Sequence, residues 1–259
     1  MNLSNKNIIH IKEDGVEYLQ FKELLKYSDK IQHCYSLKPL EFSDKNPKSQ
    51  SNYEKMCDIL GMDYTKIIKS AQKHTSIVKD IKEFTKEKFE YVDGFITGAK
   101  DIPLVTKYAD CTPIILYDKN KNIIGNVHSG WRGTLKRISQ NAVELMMKNY
   151  DVNPKDIIVC IGPCIKQCHF QVEEDFIYQF RKEFKNIEKY YKIGEILDGK
   201  QKFYFDTTSL IIDNLIEIGI KSENIYDSGI CSVCNKDNMF SYRAEKEKAD
   251  RNMNIIMLK

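Results

Sequence analysis

The sequence predicts a mixed α/β (α+β) layer fold, with sheets flanked by helices in one domain. Three observations carry this reading. Short apolar runs rich in β-branched residues alternate with amphipathic stretches of helical period. These runs are joined both by tight polar turns and by helical crossovers. At 259 residues the chain can bury a sizeable core without covalent staples. No repeat of fixed period interrupts the pattern, and segment 38–52, rich in Pro, Ser, Lys and Asn, reads as a surface loop within a single catalytic domain spanning 1–259.

The elements follow in order. Residues 1–60 read as a divergent, irregular region with a strand at 8–9, an apolar patch at Tyr18-Leu19 and the 38–52 loop. A helix spans 51–60, with Ser51 or Asn52 as its N-cap. Segment 67–78, IIKSAQKHTSIV, reads as strand, turn and strand, which puts His74 on a strand edge or turn, with helix left open as the alternative. Asp93-Gly94 precedes a strand at 95–97, and further strands are expected at 103–108 and 113–117, the latter closed by the polar turn 118–122. A strand at 123–127 runs into His128, after which Gly130 and Gly133 permit a tight exit into an amphipathic helix over 134–149. Leu135, Ile138, Ala142, Leu145 and Met146 recur at helical spacing in it, and Thr134 is placed to cap it. The aliphatic strand 157–161 breaks at Gly162-Pro163, and a helix follows at 173–184. Strand 203–205 leads to Asp206, which can cap a helix ending near Gly219, and a last short strand lies at 225–226.

Composition narrows the function classes. Forty basic against 37 acidic residues give a net charge of +3, spread as interleaved Lys and Glu at 79–90 and 245–251. That is a solvated surface, not a nucleic-acid stripe, although it tolerates an anionic small substrate. Eight cysteines without an N-terminal apolar leader point to a reducing cytoplasm, and no run is long enough for a transmembrane helix. A monomer is the expected state.

The residues that carry chemistry lie at strand ends. Cys111 stands in Ala-Asp-Cys-Thr-Pro, and His128 opens His-Ser-Gly-Trp-Arg-Gly seventeen residues later. If strands 113–117 and 123–127 form a hairpin about the Asp118 turn, both side chains fall at the same open end and can converge on a metal. Read singly, such a cysteine is a buried inert thiol and such a histidine a hydrogen-bonded structural residue. Nothing in the spacing alone brings His74 to them. Arg132, at the start of a helix in a Gly-bounded loop, suits an oxyanion, with packing or a surface ion pair as the plainer role. Trp131, the single tryptophan, either stacks on a planar base or anchors its loop in the core. Cys160, Cys164 and Cys168-His169 do not match a zinc knuckle, and Cys231-Ser-Val-Cys234 lacks a second cysteine pair nearby, so neither reads as a metal site. Neither a Walker pattern nor a dinucleotide fingerprint is present.

Four segments together carry a family resemblance: Ala109-Asp110-Cys111-Thr112-Pro113, Val127-His128-Ser129-Gly130-Trp131-Arg132-Gly133, Ile161-Gly162-Pro163-Cys164-Ile165 and Phe240-Ser241-Tyr242-Arg243. Over about 66–251 the chain resembles the YfiH/PgeF-type family, also labelled polyphenol oxidase or laccase-domain proteins. The resemblance implies a single layered α/β domain that binds one zinc through His74, Cys111 and His128. It also implies purine nucleoside chemistry: phosphorolysis of adenosine, inosine, guanosine or methylthioadenosine, and deamination of adenosine, with purine nucleosides and phosphate as partners. Cys111, His128 and Arg132 are then the expected catalytic residues. The family's usual Phe-Ser-Thr-Arg segment with its glycines is replaced by His33-Cys34-Tyr35-Ser36-Leu37-Lys38, and its Tyr-Glu-Val by Phe170-Gln171-Val172.

Chemistry distinguishes the functions. Deamination needs an activated water and a proton shuttle, for which Asp110 and Glu173 are candidates. Phosphorolysis needs an anion site, with Arg132 and Arg243 as candidates. A multicopper laccase is rejected, because five histidines cannot fill its coordination shells, and copper is less expected than zinc. The alternatives are a cysteine hydrolase using Cys111 with His128 or, as the family resemblance implies, a peptidoglycan-precursor editing amidase using the same pair, and a non-catalytic zinc-stabilised binding protein.

Overall fold

The computed structural model describes residues 2–259. Two sheets face each other, and each carries a helical layer on its outer side. The first has the order Ile8–Glu13, Val16–Phe21, Ile31–Ser36, Asn252–Leu258, Leu104–Tyr108 and is antiparallel throughout. The second runs Ile225–Asp227, Ile157–Ile161, Thr112–Asp118, Ile123–Ser129, Gly94–Thr97, Val78–Asp80, antiparallel at its centre and parallel at both edges. This is the mixed α+β layered domain that the sequence predicts. No described helix is long and apolar enough to cross a membrane.

Side-chain alternation along the strands builds the layers. In Thr112–Asp118, Ile115 and Tyr117 point into the core between the sheets, while Ile114 and Leu116 pack under helices Ile138–Tyr150 and Thr207–Glu217. In Asn252–Leu258, Ile256 and Leu258 face the same inter-sheet core, and Met253 and Ile255 meet Tyr53, Met56 and Leu60 of helix Ser49–Leu60. Truncating a fully buried member such as Ile115 to Ala costs about 2–5 kcal/mol. A buried polar bridge also crosses between the sheets. Asn126 donates to the carbonyls of Leu104 (2.8 Å) and Asn254 (3.0 Å), and accepts from Thr106 Oγ1 (2.6 Å) and Asn254 Nδ2 (2.9 Å). Satisfying both ends of each dipole is what makes such burial tolerable.

A small third sheet, Gln171–Glu173, Lys200–Phe205 and Tyr191–Leu197, packs on helix Glu174–Glu183 through Phe176, Phe180 and Phe205. Trp131 joins this aromatic cluster from the end of the second sheet, 5.3 Å from Phe176.

The structure revises the expected elements in three places. The region expected to be irregular is not, since residues 8–36 supply three strands of the first sheet; polar residues such as Gln20 and His33 interrupt their apolar pattern yet are satisfied within the sheet. The expected 134–149 helix is two helices, Trp131–Leu135 and Ile138–Tyr150, separated where Arg137 adopts φ 60°. Thr134 lies inside the first of them, its hydroxyl donating to Gly130 O (3.1 Å), so it is not an N-cap. The 49–60 helix begins before Ser51, whose hydroxyl instead donates to Lys48 O at 2.9 Å.

Candidate metal centre

The hairpin Thr112–Asp118 and Ile123–Ser129 pairs Pro113 with His128 and Thr112 with Ser129, so Cys111 emerges beside His128 at its open end. His128 is buried, Cys111 partly buried and His74 exposed, a gradient from core to cleft. One donor atom from each lies within 4.8 Å of the others. His74 Nε2 stands 3.6 Å from the Cys111 sulfur, and the His74 and His128 rings meet edge to face at 5.0 Å.

Asp93, fully buried just before strand Gly94–Thr97, organises two of these side chains. His128 donates its Nδ1–H to Asp93 Oδ1 at 2.8 Å, which fixes the tautomer and leaves Nε2 as the free donor atom. The same carboxylate accepts the backbone N–H groups of Lys73 (3.2 Å), His74 (3.0 Å) and Thr75 (2.8 Å) and the Thr75 hydroxyl (2.8 Å). Those bonds hold His74 in the left-handed region at φ 59°, a conformation costing on the order of 1–3 kcal/mol. Burial alone would raise the Asp93 carboxyl, but His128 and Thr75 outweigh it and hold the group at about 2.

Cys111 and His128 titrate as a pair. Burial pushes the thiol up, yet the neighbouring His128 and His74 pull it below its ordinary value. Burial pushes the imidazole down, yet Cys111 and Asp93 raise it. The metal-free arrangement therefore favours a Cys111 thiolate beside a protonated His128, and a metal taken up by these two side chains displaces the imidazole proton. Gly130 is part of the geometry, since a Cβ there would collide with His74 Cδ2 and stand 3.2 Å from the Cys111 sulfur. A thiolate, two imidazoles and a carboxylate that orients one imidazole fit a zinc with a position left open to the cleft.

The three donors lie in the wall of a cavity of about 640 Å³, which also receives Trp131, Phe170 and the cations Lys45, Lys73 and Arg251. Lys107 lines it too, mostly buried and bound to Asp44. Arg132 is not on this wall. Its exposed guanidinium lies over the Trp131 ring at 4.1 Å, and the helix that holds it, Trp131–Leu135, has only five residues. Arg243 lines the cavity, but its fork donates to the carbonyls of His169 (2.8 Å) and Gln171 (3.0 Å). Asp110, at φ 89°, spends both oxygens on Ser232 Oγ (2.6 Å) and the Arg243 N–H (2.6 Å). Glu173 lies outside the cavity, paired with Lys200 (2.9 Å) and Lys202 (2.5 Å). Lys38 is tied to Glu245 at 2.7 Å. Asp93 is the residue that sequence reasoning missed, for Asp-Gly before a strand reads as a turn.

Residues 36–259 match the family model described as multi-copper polyphenol oxidoreductase laccase. The chain belongs to this family. It is 32% identical over 256 residues to a purine nucleoside phosphorylase of Clostridium acetobutylicum, covering 96% of this chain and 98% of the relative. A purine nucleoside phosphorylase of Borreliella burgdorferi is 30% identical over 220 residues, 85% of this chain and 90% of the relative. Among solved structures, the hypothetical protein YfiH of Bacillus licheniformis superposes with a TM-score of 0.87 at 22% identity, covering 98% of this chain and all of that one. YlmD from Geobacillus stearothermophilus gives 0.86 at 20% identity, covering 97% and 99%. Both are likenesses of fold, and they agree with the YfiH-like architecture expected from the sequence.

Proposed function

We propose that the chain is a zinc-dependent purine nucleoside phosphorylase that also cleaves methylthioadenosine and deaminates adenosine, acting as a monomer. The carrying observation is the convergence of His74, Cys111 and His128 on one cavity wall, with Asp93 orienting His128. The names of the relatives supply the substrate class. When bound, a zinc held by these three side chains supplies Lewis acidity at an open coordination position.

The chain's own residues account for the rest. In phosphorolysis a phosphate oxygen attacks the ribose C1′, the C1′–N9 bond breaks, and its electron pair leaves on the purine, which takes up a proton. Lys45, Lys73 and Arg251 add positive charge to the cavity lining for a phosphate, while Lys107 is paired there with Asp44. This cluster suits the anion better than Arg132, which its placement leaves at most an indirect role through Trp131. Trp131 and Phe170 offer flat apolar surface to a purine. Only two of the five histidines line the cavity; His33, buried within the first sheet, accepts the Phe21 N–H at 2.8 Å. That inventory supports zinc over a multicopper centre.

The test is nucleoside turnover with and without phosphate in the wild type, Cys111→Ala and His128→Ala, beside metal content. Loss of turnover together with metal in both variants supports the reading; retained turnover without metal refutes it. A second reading has a specific observation behind it. Cys111, His128 and Asp93 stand in the order nucleophile, base and orienting carboxylate of a cysteine hydrolase. Alkylation of Cys111 that abolishes turnover in a metal-free, active enzyme would favour it.

A further inference from the structure

Two segments that look unrelated in sequence meet beside the cavity. Cys168 and His169 follow the loop after strand Ile157–Ile161, and Cys231 and Cys234 lie in the turn after strand Ile225–Asp227. One donor atom from each of the four lies within 4.8 Å of the other three. His169 Nδ1 is 3.2 Å from the Cys168 sulfur, 3.7 Å from Cys231 and 3.4 Å from Cys234, and the Cys168 and Cys234 sulfurs are 3.8 Å apart. A tetrahedral zinc with Zn–S of about 2.3 Å and Zn–N of about 2.0–2.1 Å sets its ligands roughly 3.5–3.8 Å apart. The observed edges fall close to that spacing. The second cysteine pair that the Cys231-Ser-Val-Cys234 spacing lacked in sequence is supplied in space by Cys168-His169.

We propose that Cys168, His169, Cys231 and Cys234 form a second, structural metal site that takes zinc, distinct from the His74–Cys111–His128 centre. Its donor set is three sulfurs and one imidazole, soft enough to select zinc over the hard cations. With four protein ligands it leaves no position open for substrate, whereas the cavity centre has three donors and faces solvent. A disulfide explains the cluster less well. It needs the sulfurs at about 2.05 Å, would join only two of the three thiols, and gives His169 nothing to do among them.

The ion would clip a wall of the cavity. The same two segments are already laced by Cys164 N–H to Ile230 O (3.2 Å) and Ser232 N–H to Cys164 O (3.0 Å). Arg243 ties onto the carbonyls of His169 and Gln171, while Ile165, Phe170 and Arg243 line the cavity. The metal thus holds these lining residues in place and touches no reacting atom. This clip does not depend on the nucleoside reading.

The test uses the full-length protein, purified without chelator under reducing conditions, with metal measured by mass spectrometry. The wild type is expected to carry about two zinc ions per chain, and Cys111→Ala/His128→Ala to keep about one. Cys234→Ser, a conservative change at an exposed position, should lose the clip zinc and retain the other. Reloaded with Co(II), the Cys111→Ala/His128→Ala protein should show strong thiolate-to-cobalt charge transfer, which the further change Cys234→Ser weakens. The proposal is overturned if Cys111→Ala/His128→Ala binds no zinc, whatever the fate of Cys234→Ser. It is equally overturned if the native protein yields a Cys168–Cys234 disulfide instead of bound metal.

Discussion

Replacing Gly130 by Ala tests the cavity centre through a single methyl group. The backbone at Gly130 has φ −72° and ψ 166°, which alanine adopts without strain. The whole penalty therefore lies in the side chain, whose Cβ would overlap His74 Cδ2, sit 3.4 Å from His74 Cγ and approach the Cys111 sulfur at 3.2 Å. His74 is exposed and swings aside, while buried His128 stays anchored on Asp93. Disturbing the orientation of one ligand weakens metal binding by about 10–100-fold, or roughly 1.4–2.7 kcal/mol. The apo fold responds in the opposite sense. Gly→Ala at a compatible backbone stabilises by about 0.4–1 kcal/mol through the unfolded chain, which raises the melting temperature by roughly 1–4 °C at this size. Competition with a zinc chelator reads the affinity, and thermal melts of the metal-free protein read the fold. Zinc affinity within about twofold of wild type would refute the placement of His74 as a ligand.

Three further outcomes follow from the same geometry. Asp93→Asn presents an amide to the backbone N–H groups of residues 73–75 and to His128; breaking this buried pair should cost about 3–5 kcal/mol in urea denaturation of the apo protein and weaken zinc binding about 10–100-fold. His33 is buried neutral, burial depressing its imidazole to about 3, so the unfolded chain binds the extra proton between about pH 6.5 and 3. Its stability contribution is complete above about pH 6.5 and falls by roughly 1.4 kcal/mol per pH unit below it, a slope that His33→Gln should remove from stability measured at pH 7 and pH 5. Glu173→Gln should leave turnover within about twofold of wild type, because Glu173 is engaged by Lys200 and Lys202 outside the cavity; a large loss in steady-state assays would return it to the chemistry.

The hairpin that presents Cys111 and His128 was legible because apolar residues dominate both strands around a polar turn, and antiparallel pairing about that turn fixes which end the two side chains share. Helix Thr207–Glu217 was legible through Asp206, whose carboxylate accepts the Ser209 N–H at 3.0 Å as an N-cap. Strand Asn252–Leu258 was not, although it lies inside the first sheet between two partners. Asn252 and Asn254 break its apolar run, and their compensation, the amide bridge from Asn254 to Asn126, is visible only once the sheets face each other. His74 reached the centre by family resemblance, since its approach depends on three backbone N–H groups gathered by Asp93, a contact across 19 residues of chain that include strand Val78–Asp80. Cys168-His169 and Cys231–Cys234 show the same limit, more than 60 residues apart in sequence and in contact in space.

The most direct test of the account is phosphate-dependent cleavage of inosine by the zinc-loaded wild type, compared with a Cys111→Ala/His128→Ala protein of verified fold. The account predicts release of the purine base only when both phosphate and the cavity metal are present. Base release by the wild type after that metal has been removed would contradict it.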